Sequence, residues 1–529
     1  MANIVSNSLA AGVSVTVKNE ALAGGASVLP RKIVIFATPL ETNIGNVPLG
    51  FPKLALSPDE VGALAGNGSM AHRLAIAAFR GANGEVPISL VYEEEAAGAV
   101  AATWTLTYDG TPTVSGSHWL YIAGDLYQIP IAINDTPTVI GDRVVNKVLA
   151  NPACPVTAVN VSGVVTFTAK TKGAWGNGIT IRDNQRPAED QTLPAGLTAE
   201  IAVTGAGTLN PDFATDLPAA LGAGDSANEK RFTDLIHGYG QDNVILDALS
   251  NYVGPGNDYT GLYSGTVARP LRSIIGNVDT GSDGLSAVMA FADNRKQDRT
   301  NHMICKPGSL THPAEIGAEV AAIAARVNNA YAEGSTQEYI LSGVDPGIVA
   351  RQQKLTSTDG DWTTEYTNRD MAVKAGVATT IVEDGSVMIE DLMSFYHPSS
   401  IAPESNAYRF SRNISLTQNV LVNFFNTFDT EKWKGFTIVA DKSFVQSPGA
   451  KVRDRDDVVA EIVGLVNSFG KLAWLYRAQD TIDYIAKNRG AITLRPDGTG
   501  FSISLPLTYS GIGNKMIVSA FIDTAIRTA

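Results

Sequence analysis

Ile33-Val34-Ile35-Phe36-Ala37 is an unbroken apolar run near the start of the chain, and it reads as a strand buried on both faces. Downstream, Ser57-Pro58-Asp59-Glu60 is a strong helix start. Ser57 stands at the N-cap, Pro58 at the first helical position, and Glu60 closes a capping box. Residues 69–80 continue as a second helix, ended by Gly81. Ile88-Ser-Leu-Val-Tyr92 is the returning strand. Residues 31–92 therefore form a compact α/β segment.

From 93 to 184 the pattern changes to short strands separated by turns rich in Asp, Gly, Pro and Ser. The strands are 103–108, 119–122, 126–133 and Val161 to Thr168, interrupted by one helix at about 141–151. This reads as a small β-rich domain inserted into a larger one. Residues 185–385 return to α/β alternation, with strands at 201–203, 242–246, 272–276 and 302–305. The clearest helix covers 313–333, where Ile316, Val320, Ile323, Val327 and Tyr331 recur at helical spacing. Strands alternating with helices predict a mostly parallel sheet covered on both faces.

Residues 386–510 read as α+β. Helices cover 417–428 and about 455–468, and a turn at Arg495 to Gly500 leads into the alternating strand Phe501-Ser-Ile503-Ser-Leu505. Each end of the chain carries a lone alternating strand: Val13-Ser-Val15-Thr-Val17 in an arm of residues 1–30, and Lys515 to Ile522 in an arm of residues 511–529. A lone strand cannot satisfy its own backbone groups, so it must pair with a sheet in its own chain or in another.

The 529 residues are too many for one core. Charged residues are only 18% and the net charge is −13, so a bare duplex-binding surface is not expected. The N-terminal sequence lacks the basic and apolar segments of a signal peptide, and no apolar run approaches a membrane span. Cys154 and Cys305 form no metal-like spacing and read as buried thiols of a reduced, cytoplasmic protein. The six His form no zinc motif, and no catalytic, cofactor or metal site is expected. Thr280-Gly-Ser-Asp-Gly284 reads as a turn, not a nucleophile elbow. Gly464 to Leu472 has the wrong spacing for a phosphate loop, has Leu where the Mg-binding Ser or Thr must sit, and follows a helix where a phosphate loop follows a strand. Lys432, Lys434, Lys451, Arg453 and Arg455 are interleaved with acids, and read either as a solvated face or as charge-complementary contacts with another subunit or a tube.

Several stretches together resemble the contractile phage tail sheath family, in particular its Mu-like members. Lys172-Gly-Ala-Trp175-Gly176-Asn177-Gly178-Ile179 resembles the family's signature turn, where Gly176 and Gly178 would allow unusual dihedrals and Trp175 would anchor by burial. Arg231 to Tyr252, Glu315 to Ala332, Leu341 to Val344, Val373 to Ile389 and Tyr408 to Leu421 are similar to successive parts of the same family. The start departs from it: the usual Pro-Gly-Val-Tyr strand is replaced by Ala11-Gly12-Val13-Ser14-Val15.

The resemblance implies a central α/β domain of subtilisin-like fold without protease use, the β-rich insertion, and an α+β C-terminal polymerisation domain with extended arms. It implies a structural subunit, not an enzyme. Such subunits stack as hexameric rings around a tail tube and contract by rigid-body rotation, driving the tube through the host envelope for genome ejection. Val13, Val15, Val17, Phe501, Ile503, Leu505, Met516, Val518 and Phe521 would carry strand exchange between subunits. The implied partners are other subunits, the tube protein, and baseplate and terminator proteins, with no nucleic acid and no membrane. The place implied is the virion tail, assembled in the host bacterial cytoplasm. The alternatives are the sheath of a pyocin-like or other contractile injection particle, another tail or baseplate component, and a cytosolic α/β hydrolase. The hydrolase would need a nucleophile beside a base, and none is patterned.

Overall fold

A computed structural model describes residues 25–186, 189–222, 231–253, 270–347, 360–397, 408–445 and 451–511. Its described residues form two compact units. The larger covers 28–422, and the smaller covers 423–511 together with residues 25–27.

In the larger unit, β1 (Ile33–Ala37) is buried along its whole length. β2 (Lys53–Ala55), α1 (Pro58–Ala65), α2 (Met70–Ala82) and β3 (Ile88–Tyr92) follow. The Ser57 hydroxyl caps α1 by accepting from the Glu60 N–H at 3.2 Å. The Glu60 carboxylate accepts from Leu56 N–H at 2.8 Å, one residue before the partner expected for a capping box. Gly81 does not end the second helix. α2 runs on to Ala82 and stops at Asn83, whose φ of 49° is left-handed. Gly81 is instead a packing residue, since a Cβ there would lie 2.5 Å from the Glu319 carbonyl oxygen.

The inserted region holds β4 (Thr103–Gly110), β5 (Gly116–Ile122), β6 (Asp125–Ile131), α3 (Pro137–Ala150), β7 (Val156–Val161), β8 (Val164–Ala169), β9 (Ile181–Asp183), β10 (Leu197–Gly205) and the short α4 (Leu217–Leu221). They build a four-stranded sheet, β10-β4-β8-β7, and a three-stranded one, β6-β5-β9. The single strand expected from Val161 to Thr168 is a hairpin. Ser162 (φ 53°) and Gly163 (φ 89°) make its two-residue turn, and Val161 pairs with Val164. α3 begins at Pro137, capped by Thr136. The strand expected at 201–203 lies in β10, which pairs antiparallel with β4 of the insertion and takes no part in the parallel sheet.

β11 (Asp234–His237), α5 (Asn243–Val253), β12 (Arg272–Asn277), α6 (Gly281–Asn294), β13 (Asn301–Cys305), α7 (Pro313–Ala330), α8 (Tyr366–Lys374), β14 (Ala378–Glu383) and β15 (Ser386–Asp391) complete the framework. The eight-stranded sheet has the order β15-β14-β13-β12-β11-β1-β3-β2. Its inner pairings are parallel, and β2 and β15 join antiparallel at the two edges. Alternate residues serve opposite faces: Ile274 and Ile304 pack in one apolar cluster, Ile275, Met303 and Cys305 in the other. Residues 242–246 are not a strand. Asp242 accepts from Val244 N–H at 3.0 Å at the start of α5, and Ile245, Leu246 and Leu249 form its buried side. Residues 280–284 open α6 and are not a free turn. In α7 burial extends around the helix, whereas Tyr331 lies just beyond it and is exposed. The boundary expected at 385/386 falls in the turn of the β14–β15 hairpin.

α9 (Ser411–Phe428) contains the division between the units. The smaller unit then holds a short parallel pair, β16 (Thr437–Ile438) with β17 (Val452–Arg453). α10 (Arg455–Lys471), α11 (Ala478–Lys487) and the hairpin of β18 (Ile492–Leu494) and β19 (Phe501–Ile503) follow. Its core stacks Phe469 on Trp474 with centroids 5.4 Å apart, and sets Phe424 edge-on to Phe469.

Candidate assembly surface

In open α/β sheets ligands enter beyond the carboxyl ends of the strands, where the strand order reverses. Here the order reverses between β1 and β11. That crevice is packed with side chains. Phe213 stacks on Phe36 at 4.8 Å and lies 5.5 Å from the Tyr239 ring. Tyr239 Oη and Thr38 Oγ1 are 3.1 Å apart. His237 is fully enclosed, and burial holds its pKa down at about 4. Beside them the Glu93 carboxyl is buried and hydrogen-bonded to Asp216. Burial and that neighbouring carboxylate push its pKa up to about 9.

The insertion is bolted to the same sheet edge. Trp175 lies in a short 3-10 turn, Ala174–Gly178, and its ring stacks on His312 at 4.6 Å. The Trp175 carbonyl oxygen and His312 Nε2 are 2.9 Å apart. Asn177 clamps Gly207: its Oδ1 accepts from Gly207 N–H at 2.7 Å and its amide donates to the Gly207 carbonyl at 2.9 Å. Gly176 and Gly178 are not left-handed, contrary to the expectation of unusual dihedrals. They are needed for close approach. A Cβ on Gly176 would lie 2.9 Å from the Ala102 methyl, and one on Gly178 would lie 2.5 Å from His312 Nε2. Gly178→Ala is therefore expected to destabilise the larger unit by about 1–3 kcal/mol through overpacking. An unchanged urea midpoint would show that His312 can swing aside.

A second bolt is Arg73 on α2. Its Nε and Nη2 reach Glu315 at 2.7 and 2.9 Å, and its Nη1 reaches Asp125 in the insertion at 2.7 Å. Burial alone would lower its pKa, but Glu315 and Asp125 outweigh burial and raise it, so the guanidinium stays charged.

The described residues that border the two expected arms, 27–31 and 508–510, are both anchored. Residues 27–31 run extended along α9, whose polar side chains take their hydrogen bonds. Asn423 Oδ1 accepts from Ser27 N–H at 2.9 Å, and the Asn423 amide donates to the Ser27 carbonyl at 2.9 Å. Asn419 Oδ1 accepts from Leu29 N–H at 2.7 Å. Ser415 and Gln418 accept from the Arg31 guanidinium, and the Gln418 amide donates to the Thr233 and Pro270 carbonyls. At the other end Tyr509 bridges Leu475 antiparallel, with Tyr476 N–H donating to Thr508 at 2.9 Å and Ser510 N–H to Trp474 at 3.0 Å. The residues singled out in the arms themselves, Val13, Val15, Val17, Met516, Val518 and Phe521, lie outside the described residues. Phe501 and Ile503 pair with Leu494 and Ile492 of their own chain, and Leu505 lies beyond β19, half-buried. The ladder on α9 was missed in the sequence. Its signal was Ser415, Asn419 and Asn423 repeating every four residues, which places them on one face of the helix.

The fold gathers four of the five singled-out basic residues. Lys432 and Arg453 each lie 5.6 Å from the Trp433 ring centroid. Lys451 donates to the Lys434 carbonyl, and Lys434 pairs with Asp429 at 2.8 Å. Lys432 pairs with Glu461. Arg455 points elsewhere, donating to the Ile492 carbonyl at 3.2 Å. Much of this charge is thus matched within the chain. Cys154 and Cys305 are free and buried. His302 and Cys305 point to opposite faces of β13, and among the described residues no His, Cys, Asp or Glu cluster could hold a metal ion. No described helix is long and apolar enough to cross a membrane.

No protein-family model matches the chain. The chain is 28% identical over 204 residues to the Mu-like prophage FluMu tail sheath protein of Haemophilus influenzae, a match spanning 39% of this chain and 40% of that protein. A sheath tail protein of Desulfitobacterium hafniense superposes with a TM-score of 0.43 at 13% identity, covering 92% of this chain and 94% of its own. The helical sheath of the anti-feeding prophage in its contracted state gives 0.36 at 10% identity, covering 97% and 99%. Over the segment they share, this chain is similar to a Mu-like prophage tail sheath protein, and that segment spans less than half of either chain.

Proposed function

We infer that the chain is the structural subunit of a contractile tail sheath. The observation that carries this reading is its sequence identity to the FluMu sheath protein. The packed mouth of the α/β sheet supports it, because Phe213, Tyr239 and His237 fill the space a substrate would need. Subunits stack as hexameric rings around a tail tube, with the smaller unit facing the tube and the insertion decorating the outside. The arms, strand 13–17 and strand 515–522, add to sheets of neighbouring subunits, so that main-chain pairing persists while whole domains rotate. The anchored roots at Ser27 and Tyr509 support this, because a tether transmits rotation only if its base is fixed. Contraction drives the tube outward with no cofactor and no catalytic step. The particle is assembled in the bacterial cytoplasm and ends as part of a virion tail, with tube, baseplate and terminator proteins as its partners.

Negative-stain microscopy tests the reading. The full chain should form ribbed hollow cylinders, alone or on added tubes. Deleting residues 1–20 or 512–529 should leave a folded, soluble monomer that forms none. Normal cylinders from either truncation would sink the strand-exchange mechanism. Persistent monomers of the full chain, under crowding and with tubes present, would sink the sheath reading itself.

A further inference from the structure

The sequence contains three Asn-Gly dipeptides: Asn67-Gly68, Asn83-Gly84 and Asn177-Gly178. In such a pair glycine has no side chain to shield its backbone nitrogen, so that nitrogen can reach the asparagine side-chain carbonyl. The fold treats the three pairs differently. Asn177 is clamped to Gly207 through both its Oδ1 and its amide, and Gly178 lies against His312. At the first pair the nitrogen itself is engaged, since Gly68 N–H donates to His72 Nδ1 at 3.0 Å. Gly68 is also buried, and a Cβ there would lie 2.2 Å from the Cys154 carbonyl oxygen. Asn83 has neither restraint. It ends α2 in the left-handed region, with φ 49° and ψ 33°, and both it and Gly84 are exposed. Among the described residues nothing bonds to the Asn83 side-chain amide or to Gly84 N–H, and a Cβ on Gly84 would meet open space. Across the turn runs a main-chain bond from Glu85 N–H to the Ala82 carbonyl, 3.0 Å long.

We propose that Asn83 is a site of spontaneous deamidation, selected by the open turn at the end of α2 while the fold protects Asn67 and Asn177. Opening of the exposed Glu85–Ala82 bond lets the Asn83 ψ turn away from 33° and bring the Gly84 nitrogen to the side chain. That nitrogen, having lost its proton to solvent, attacks Asn83 Cγ and forms a C–N bond. The side-chain nitrogen takes up a proton and leaves as ammonia. One water molecule then opens the cyclic imide. Addition at Cγ restores the main chain and leaves aspartate. Addition at the backbone carbonyl carbon leaves isoaspartate, in which the main chain runs through the side-chain carbon. Nothing is oxidised or reduced, and water is the co-reactant. Either product places a new negative charge at the C-terminus of α2, where the helix dipole is already negative. Isoaspartate also lengthens the backbone by one carbon, so the left-handed cap cannot close as before. α2 carries Arg73, and its Gly81 lies close against the Glu319 carbonyl of α7, so the change falls on an element that the framework packs around. The chemistry is the same whether or not the chain forms sheaths.

The test incubates the folded full-length chain at mildly alkaline pH in heavy-oxygen water and follows the three Asn-Gly peptides by mass spectrometry. Asn83 should lose its amide and gain heavy oxygen at least about tenfold faster than Asn67 or Asn177, because the bonds that hold those two pairs must open first. Chromatography should resolve its product into two peptides of equal mass, aspartyl and isoaspartyl. The same chain in concentrated urea is the second measurement. With the fold gone, the three pairs should react at similar rates. An Asn83 that reacts no faster than the other two in the folded chain would overturn the proposal. So would a preference for Asn83 that persists undiminished in urea, since the selectivity would then lie in the neighbouring sequence and not in the turn.

Discussion

Replacing Arg73 with Met is expected to cost about 3–5 kcal/mol and to loosen the insertion from the sheet. The reason is the Glu315 carboxylate. Its side chain is only 4% exposed and its cation is Arg73, held through both carboxylate oxygens. Removing the guanidinium leaves a buried charge whose desolvation is no longer compensated. The pair itself need not be worth that much, since the same desolvation opposes its Coulomb attraction. The double replacement Arg73→Met with Glu315→Met should therefore recover most of the loss. Asp125 is 38% exposed and can turn to water. Urea unfolding of an arm-deleted monomer would measure both variants. A single variant as unstable as the double would mean that packing around the methylene stem, and not the orphaned carboxylate, sets the cost.

Glu93→Gln should change how stability depends on pH. Burial, with Asp216 beside it, raises the Glu93 pKa from 4.5 to about 9 in the folded chain. The folded state then keeps a proton that the unfolded state releases. This contribution is complete below about pH 4.5 and is lost as pH rises toward about 9, by up to about 1.4 kcal/mol for each pH unit. Gln keeps a donor for the Asp216 carboxylate and cannot ionise. Variant and parent should have similar melting temperatures near pH 5, and the variant should be increasingly the more stable as pH approaches 9. Parallel melting curves across that range would show that Glu93 is ionised in the folded protein.

Much of the local structure was legible in the sequence because its causes are short-range. The run at 33–37 could only be a strand covered on both faces, and Ser57-Pro58 could only open a helix. The α/β alternation correctly gave a parallel sheet, though not its antiparallel edges. The errors have equally specific causes. Residues 242–246 have β-branched character, but Asp242 caps the backbone into a helix whose buried side suits Ile245 and Leu249. Residues 161–168 were read as one strand because Ser162-Gly163 is a two-residue turn, with no longer break in the apolar pattern, so the first strand of the hairpin, 156–161, was missed.

By itself, the sequence determined many of the kinds of element and a likeness to sheath proteins that the FluMu match bears out. Tertiary structure alone decided that β10 joins a partner some ninety residues away in the insertion. It alone decided that Gly81, Gly176 and Gly178 serve close approach and not strained turns. It also set Arg73 between Glu315 and Asp125, and aligned Asn419 and Asn423 with the backbone of Ser27 and Leu29. The physical reason is range. Periodicity and capping act over a few residues, whereas sheet partners, ion pairs and close glycine contacts depend on which distant segments the folded core brings together.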